Sequence, residues 1–171
     1  LHVRADRQNE IRPLVISHGA NSPRTDRSRF QIEFGWMGTG DPSAALSVPK
    51  ALEVVGSLRP GGWPEVMRAN RELALAARRV LCDALQIAPP CPEEFIGSLA
   101  AMPIPDAKDC TPSKSPLYLD ALQDELLAKF QIEVPVIPWP APPKRLLRVS
   151  AQLYNSLPQY EKLAEALRKL L

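Results

Sequence analysis

The chain has 171 residues, 45% hydrophobic and 23% charged, enough for one compact domain or two small lobes, each with an apolar core. Its 21 Lys and Arg against 19 Asp and Glu leave a net charge of +2, spread rather than gathered into a basic run, which argues against a nucleic-acid partner. Cys82, Cys91 and Cys110 form no CxxC pair and meet no histidines at zinc-site spacing, and no apolar run approaches the roughly 18 residues of a membrane span, so a cytoplasmic protein with reduced thiols and no membrane contact is expected.

The first residue is not methionine, and the Leu1/Val3 alternation reads as the end of a strand already under way, as in a piece cut inside a larger domain. Residues 13–17 predict a short buried strand, closed by a turn at His18-Gly19-Ala20-Asn21. A polar arm follows from Asn21 to Arg29, and Phe30, Ile32 and Phe34, spaced by two, predict an extended segment suited to lying on a partner. Asp41-Pro42 opens a helix with Leu46, Ala51, Leu52 and Val55 as its buried face, broken or kinked at Pro49 and ended by Gly56 and Pro60-Gly61-Gly62. Residues 63–87 carry the clearest helical period, stopped by Pro89-Pro90-Cys91-Pro92, which also reads as a boundary between lobes.

Beyond it the pattern predicts a strand over 95–103, a surface loop over 103–116, a helix over 116–130, strands over 132–137 and 146–154, and a closing helix over 158–171. Ser156 and Gln159 have capping-box spacing, and Tyr160, Leu163, Leu167 and Leu170 share one stripe. This is a small α+β lobe.

Two places carry candidate chemistry. Gly38-Thr39-Gly40-Asp41 precedes a helix, so free backbone N–H groups, a hydroxyl and a helix dipole meet where a phosphate is favoured; a plain turn with an aspartate cap is the other reading. In the predicted strand over 146–154, Leu147, Val149, Ala151 and Leu153 share one face and Arg148, Ser150 and Gln152 the other. Arg148 is then either a rigidly held fork for a carboxylate or a solvated sheet arginine. His18 is read as a proton carrier, a ligand contact or a loop histidine, and Asn21 in the same turn is equally open. Trp36 and Trp63 could each stack on a ring, but core or interface packing is the commoner fate of tryptophan and both are read as structural.

The ordered set Phe34-x-Trp36-x-Gly38-Thr39-x-Asp41-x-Ser43, Pro49, Gly61-Gly62-Trp63 and Asn70, with residues 132–137 and Arg148-Val149-Ser150-Ala151-Gln152-Leu153-Tyr154-Asn155 at the end, resembles the isopenicillin N epimerase-like members of the class V aminotransferase family, which depend on pyridoxal 5'-phosphate (PLP). The resemblance spans nearly the whole chain. It implies an α/β fold, the C-terminal part of a fold-type I enzyme, with helices packed on a small mixed or antiparallel sheet. Residues 1–62 would be the end of the PLP-binding large domain with a dimer arm and bridging helix, and 63–171 the small α+β domain.

The resemblance also implies cofactor contacts at Gly38 and Thr39, the threonine reaching the cofactor phosphate of the neighbouring subunit in a homodimer. Arg148 would hold the carboxylate of an amino-acid substrate, with His18 and Asn21 nearby. The Schiff-base lysine and the aspartate facing the pyridine nitrogen would precede this stretch, since no lysine here, Lys50 and Lys144 included, matches. This piece alone is then expected to be inactive. Cys110 lies too early for the persulfide-donating loop of cysteine desulfurases, which leaves epimerase, desulfhydrase or aminotransferase-like chemistry. A non-catalytic dimerisation module derived from the same fold, and a small anion-binding protein using only Gly38-Thr39, are the alternatives.

Overall fold

From residue 147 to 152 apolar side chains alternate with polar ones, the period of a strand with one face covered. In the computed structural model, which describes residues 1–108 and 120–171, this segment begins within strand β3 (Arg145–Ser150). Leu147, Val149 and, just past the strand, Ala151 are buried, while Arg148 and Ser150 face outward. β3 is the centre of a three-stranded antiparallel sheet between β1 (Leu99–Ile104) and β2 (Val136–Pro138), with Arg148 opposite Ala101. The strand expected to reach residue 154 ends early because Asn155 makes a turn: its Oδ1 accepts from the Gln152 N–H at 3.0 Å and its own N–H donates to the Gln152 carbonyl at 2.8 Å. The 95–103 strand starts late, after a 3-10 turn at Glu93–Phe95.

Three helices cover the inner face of the sheet. α3 (Gly62–Leu85) turns Val66, Asn70, Ala74, Ala77 and Leu81 inward at spacings of three and four. α4 (Ala121–Phe130) adds Leu122 and Leu126. α5 (Leu157–Leu170) starts at the predicted Ser156/Gln159 capping box and buries Tyr160, Leu163 and Leu167. The Tyr160 hydroxyl donates to the Ser150 carbonyl at 2.6 Å, tying α5 to the end of β3, and burial pushes that phenol up from its ordinary value. Leu81, Met102, Leu126, Leu147 and Leu167 are wholly inaccessible, each contributing about 1.5–3 kcal/mol.

The proline run is not what stops α3. Gln86 takes a left-handed conformation (φ 54°) and the Ile87 N–H closes back on the Cys82 carbonyl at 3.0 Å, ending the helix before Pro89. Nor does the run lie loose. The buried Arg78 donates to the Cys91 carbonyl at 2.8 Å, and Arg71 donates to the carbonyls of Glu93 and Ile96 at 2.9 and 3.0 Å, fastening this connection along α3. Cys82 and Cys91 are free thiols, and burial pushes the Cys82 thiol up, which keeps it unreactive. Cys110, residues 109–116 of the expected loop and the first residues of the expected 116–130 helix lie outside the described residues.

The chain divides into two compact units, 1–51 and 52–171, where the sequence suggested a change at 62/63. Residues 52–62 go with the second unit because the Trp63 indole N–H donates to the Leu52 carbonyl at 3.0 Å and its ring lies against Gly56. Of the kink or break expected at Pro49, the break does not occur: α2 (Ser43–Ser57) runs through the proline, one missing N–H leaving the other helical bonds to hold. Asp41 supports its start by accepting from the Ser43 N–H at 2.9 Å, and the Ser43 hydroxyl bond is the main reason its carboxyl sits below the usual range. The predicted buried face of α2 does not exist: no residue of the helix is buried, and Leu46 and Leu52 are more than half exposed.

Three further expectations for the first unit are corrected. Residues 30–34 are not extended but helical, as α1 (Arg29–Phe34), because Ser28 and Gln31 form a capping box and Phe30 and Phe34 meet one turn apart, centroids 4.5 Å. Residues 13–17 are not a buried strand, since Leu14, Val15 and Ile16 are exposed and the β1–β3–β2 sheet is the one sheet among the described residues. Leu1 and Val3 likewise lead into a 3-10 turn at Ala5–Glu10 rather than ending a strand.

Arg145 and Asp120 form a nearly buried pair at 2.7 Å, and the same aspartate oxygen caps α4 by accepting from the Leu122 N–H at 2.9 Å. Asp120→Ala removes the cap and leaves the guanidinium uncompensated, so chemical denaturation should show a loss of about 3–5 kcal/mol. Leu127→Ala, at a half-exposed position, should stay within about 0.5 kcal/mol of the parent.

Candidate functional site

The turn at His18–Asn21 is built on α1 by a short polar network. The Ser17 hydroxyl accepts from the Gly19 N–H and donates to the Glu33 carbonyl at 3.0 Å. Arg29 donates to the carbonyls of Gly19 and Ala20, and its Nε pairs with the buried Glu33 carboxylate at 2.7 Å. Glycine is required at position 19 by closeness: a Cβ there would lie 2.3 Å from the Ile32 carbonyl oxygen.

This anchored turn forms part of a cleft of about 600 Å³ whose lining includes His18, Asn21, Trp36, Gly38 and Thr39. Four of the five residues singled out from the sequence, His18, Asn21, Gly38 and Thr39, therefore share one cavity within the first unit. Gly38 has φ +135°, a conformation that favours glycine, and nothing crowds Gly38 or Gly40 within 4 Å. The N–H groups of Gly38, Thr39 and Gly40 make no hydrogen bond among the described residues. A hydroxyl, three free N–H groups and open space form a donor set that fits a phosphate.

Arg148, the fifth residue, belongs to the second unit. Its backbone is fixed on both sides, paired with β1 and donating its N–H to the Pro135 carbonyl at 3.1 Å, and buried Leu147 and Val149 flank it. Its side chain is exposed and makes no hydrogen bond or ion pair with the described residues. It lines a groove of about 450 Å³ with Glu133, Tyr154, Asn155, Gln159 and Lys162. An unpaired guanidinium on a rigid strand is prepared for a planar anion, and a carboxylate fits its fork. Nearby, Asn70 donates to Gln152 at 2.9 Å, which joins α3 to the turn after β3.

Trp36, read from the sequence as a packing residue, lies two residues before the Gly-Thr pair and lines the same cleft. Among the described residues no group of three or more His, Cys, Asp or Glu is placed to hold a metal, and no helix is long and apolar enough to cross a membrane.

Helices on a small three-stranded antiparallel sheet give a mixed α/β fold compatible with the C-terminal domain of a fold-type I PLP enzyme. The chain is 32% identical over 99% of its length to isopenicillin N epimerase of Amycolatopsis lactamdurans, covering 42% of that protein. It is 30% identical over 81% of its length to a probable chloroplastic L-cysteine desulfhydrase of Arabidopsis thaliana, covering 30% of it, and 28% identical over 99% to isopenicillin N epimerase of Streptomyces clavuligerus, covering 42%. The chain thus spans less than half the length of the curated relatives it matches. No family model matches it.

Gly19→Ala should cost about 1–3 kcal/mol, because the Ile32 backbone has to give way. Amide hydrogen exchange should show that loss over residues 17–34 and leave the protection of α3 and α5 unchanged.

Proposed function

We propose that this chain is the C-terminal part of a PLP-dependent enzyme acting on an amino acid, with epimerisation or a desulfhydrase-type elimination as its reaction and a homodimer as its working form. The observation that carries the reading is the unpaired Arg148 guanidinium, held outward on the central strand by buried neighbours on either side. Similarity to an epimerase and to desulfhydrases along nearly the whole chain supports it, as does the donor set at Gly38 to Gly40.

Bound PLP supplies the electron sink that lets a proton leave the amino-acid Cα. Within this chain, Arg148 grips the substrate carboxylate with two charge-assisted hydrogen bonds, fixing two points of the substrate and hence the direction of its Cα–H bond. The Thr39 hydroxyl, with the N–H groups beside it, holds the cofactor phosphate of the neighbouring subunit. His18 and Asn21, set on the anchored turn, offer hydrogen bonds to the polar groups of the bound amino acid. No lysine of this chain matches the cofactor-carrying position, so the chain is assigned binding and orientation rather than proton removal.

In the full-length protein, Arg148→Ala should lower kcat/KM by roughly tenfold to a hundredfold, mostly through KM, as expected from about 1.5–3 kcal/mol for hydrogen bonds to a charge. Arg148→Lys should recover only part, because an ammonium lacks the fork. An unaltered KM in the alanine variant would sink the assignment. Thr39→Val should weaken PLP binding by roughly five- to thirtyfold, for the loss of about 1–2 kcal/mol, read from the visible absorbance of the cofactor in a titration. Equal affinity in parent and variant dimers would dismiss the contact.

A further inference from the structure

β3 fixes the backbone of Arg148 but not the torsions that lead to its guanidinium, which has no partner among the described residues. The direction of the fork therefore depends on the groove around it. Part of that lining, Tyr154, Asn155 and Gln159, comes from the turn after β3 and the start of α5. Asn155 exchanges two hydrogen bonds with the Gln152 backbone and donates from Nδ2 to Gln159 at 3.2 Å, and Gln159 Oε1 also accepts from the Ser156 N–H at 3.0 Å. These bonds are local, so they hold the shape of the turn but not its place.

Its place is set by Asn70. This residue of α3 is 7% exposed, and its Nδ2 donates to Gln152 Oε1 at 2.9 Å. Among the described residues it is the one hydrogen bond that reaches residues 152–155 from a distant part of the chain. The same Gln152 oxygen accepts from the Leu153 N–H at 2.8 Å. That backbone donor settles which way both amides face: Gln152 has to present its oxygen, so only a donor at position 70 can meet it. An aspartate there, of the same shape, would set acceptor against acceptor. The tie is made inside the second unit and rests on no exposed surface.

We propose that Asn70 is a positioning residue for substrate binding: through Gln152 it holds the 152–155 turn in place, and the turn keeps the Arg148 guanidinium aimed at the substrate carboxylate. This assignment rests on the carboxylate role of Arg148 proposed above and adds the residue on which that role depends.

The test uses the full-length protein loaded with cofactor and compares L-alanine with ethylamine, the same amine without the carboxylate, by titrating the visible absorbance of the cofactor. Neither probe carries a leaving group, so binding is read apart from elimination. The ratio of the two affinities measures what the carboxylate contributes. Asn70→Asp should lower that ratio about five- to tenfold and Asn70→Ala about two- to fivefold, with ethylamine affinity changing by less than about twofold. The double variant Asn70→Ala/Gln152→Ala should lose no more than Gln152→Ala alone, as expected of one residue acting through the other. Ala77→Gly, at a buried position about two turns further along α3, should lower the melting temperature and leave the ratio unchanged. Amide hydrogen exchange reads the link without the cofactor: Asn70→Asp should speed exchange over residues 152–156 and spare 145–149.

An unchanged ratio in the Asn70 variants, an equal loss for both probes, additive losses in the double variant, or an equal drop in Ala77→Gly overturns the assignment. Faster exchange with an unchanged ratio overturns it too, since Asn70 is then structural only. If Asn70→Asp fails to fold, Asn70→Ala decides by the same ratio. Arg148→Ala should abolish the preference for L-alanine. If that preference survives in Arg148→Ala, the carboxylate reading fails and this assignment falls with it; if it is abolished there but intact in the Asn70 variants, this assignment alone falls.

Discussion

The alternation along β3 is the constraint from which the second unit follows. Leu147, Val149 and Ala151 have to be covered, and α3, α4 and α5 cover them. The pleat then leaves Arg148 no inward option, and burial of its neighbours removes the freedom of the backbone that carries it. A one-residue slip of register would bury the guanidinium and expose the leucine, at a cost the small core cannot meet, so the packing of the sheet and the outward direction of the arginine are a single arrangement.

The first unit is held by polar contacts more than by a core. Phe30, Gly19 and Glu33 are its buried residues, and Glu33 is a carboxylate whose burial is offset by the Arg29 guanidinium at 2.7 Å. Arg29 also takes up two carbonyls of the turn, so one side chain both neutralises the helix's buried acid and fixes the loop that carries His18 and Asn21. The position of the cleft-lining turn is therefore set by hydrogen bonds with definite directions, which suits a site that has to present polar groups.

Where one element has a dry face and a wet face, the chain could be read directly. The stripe on α5, its Ser156/Gln159 box, the long α3 and the outward Arg148 all followed from periodicity, because burial is what writes that period. The reading failed where apolar residues are not buried. Leu14 to Ile16 and the Leu46/Leu52 side of α2 look like core and are exposed, while Phe30, Ile32 and Phe34 fit a spacing of two and form a helix. In a six-residue segment the two periods share most positions, and the capping box at Ser28, not the hydrophobic spacing, was the deciding signal. The convergence of His18, Asn21, Gly38 and Thr39 on one cleft, across some twenty residues of chain, was visible only through the resemblance, since no local pattern reports on a distance in space.

Arg71 and Arg78 give the proline-rich connection a character its composition hides. Prolines cannot offer N–H groups, but their neighbours keep carbonyls, and two guanidiniums from one helix face collect the carbonyls of Cys91, Glu93 and Ile96. The connection is thereby a splint rather than a joint: a rearrangement of the strand it leads into would have to carry α3 with it, and the stiffness of this unit comes in part from the segment that looked most suited to bending.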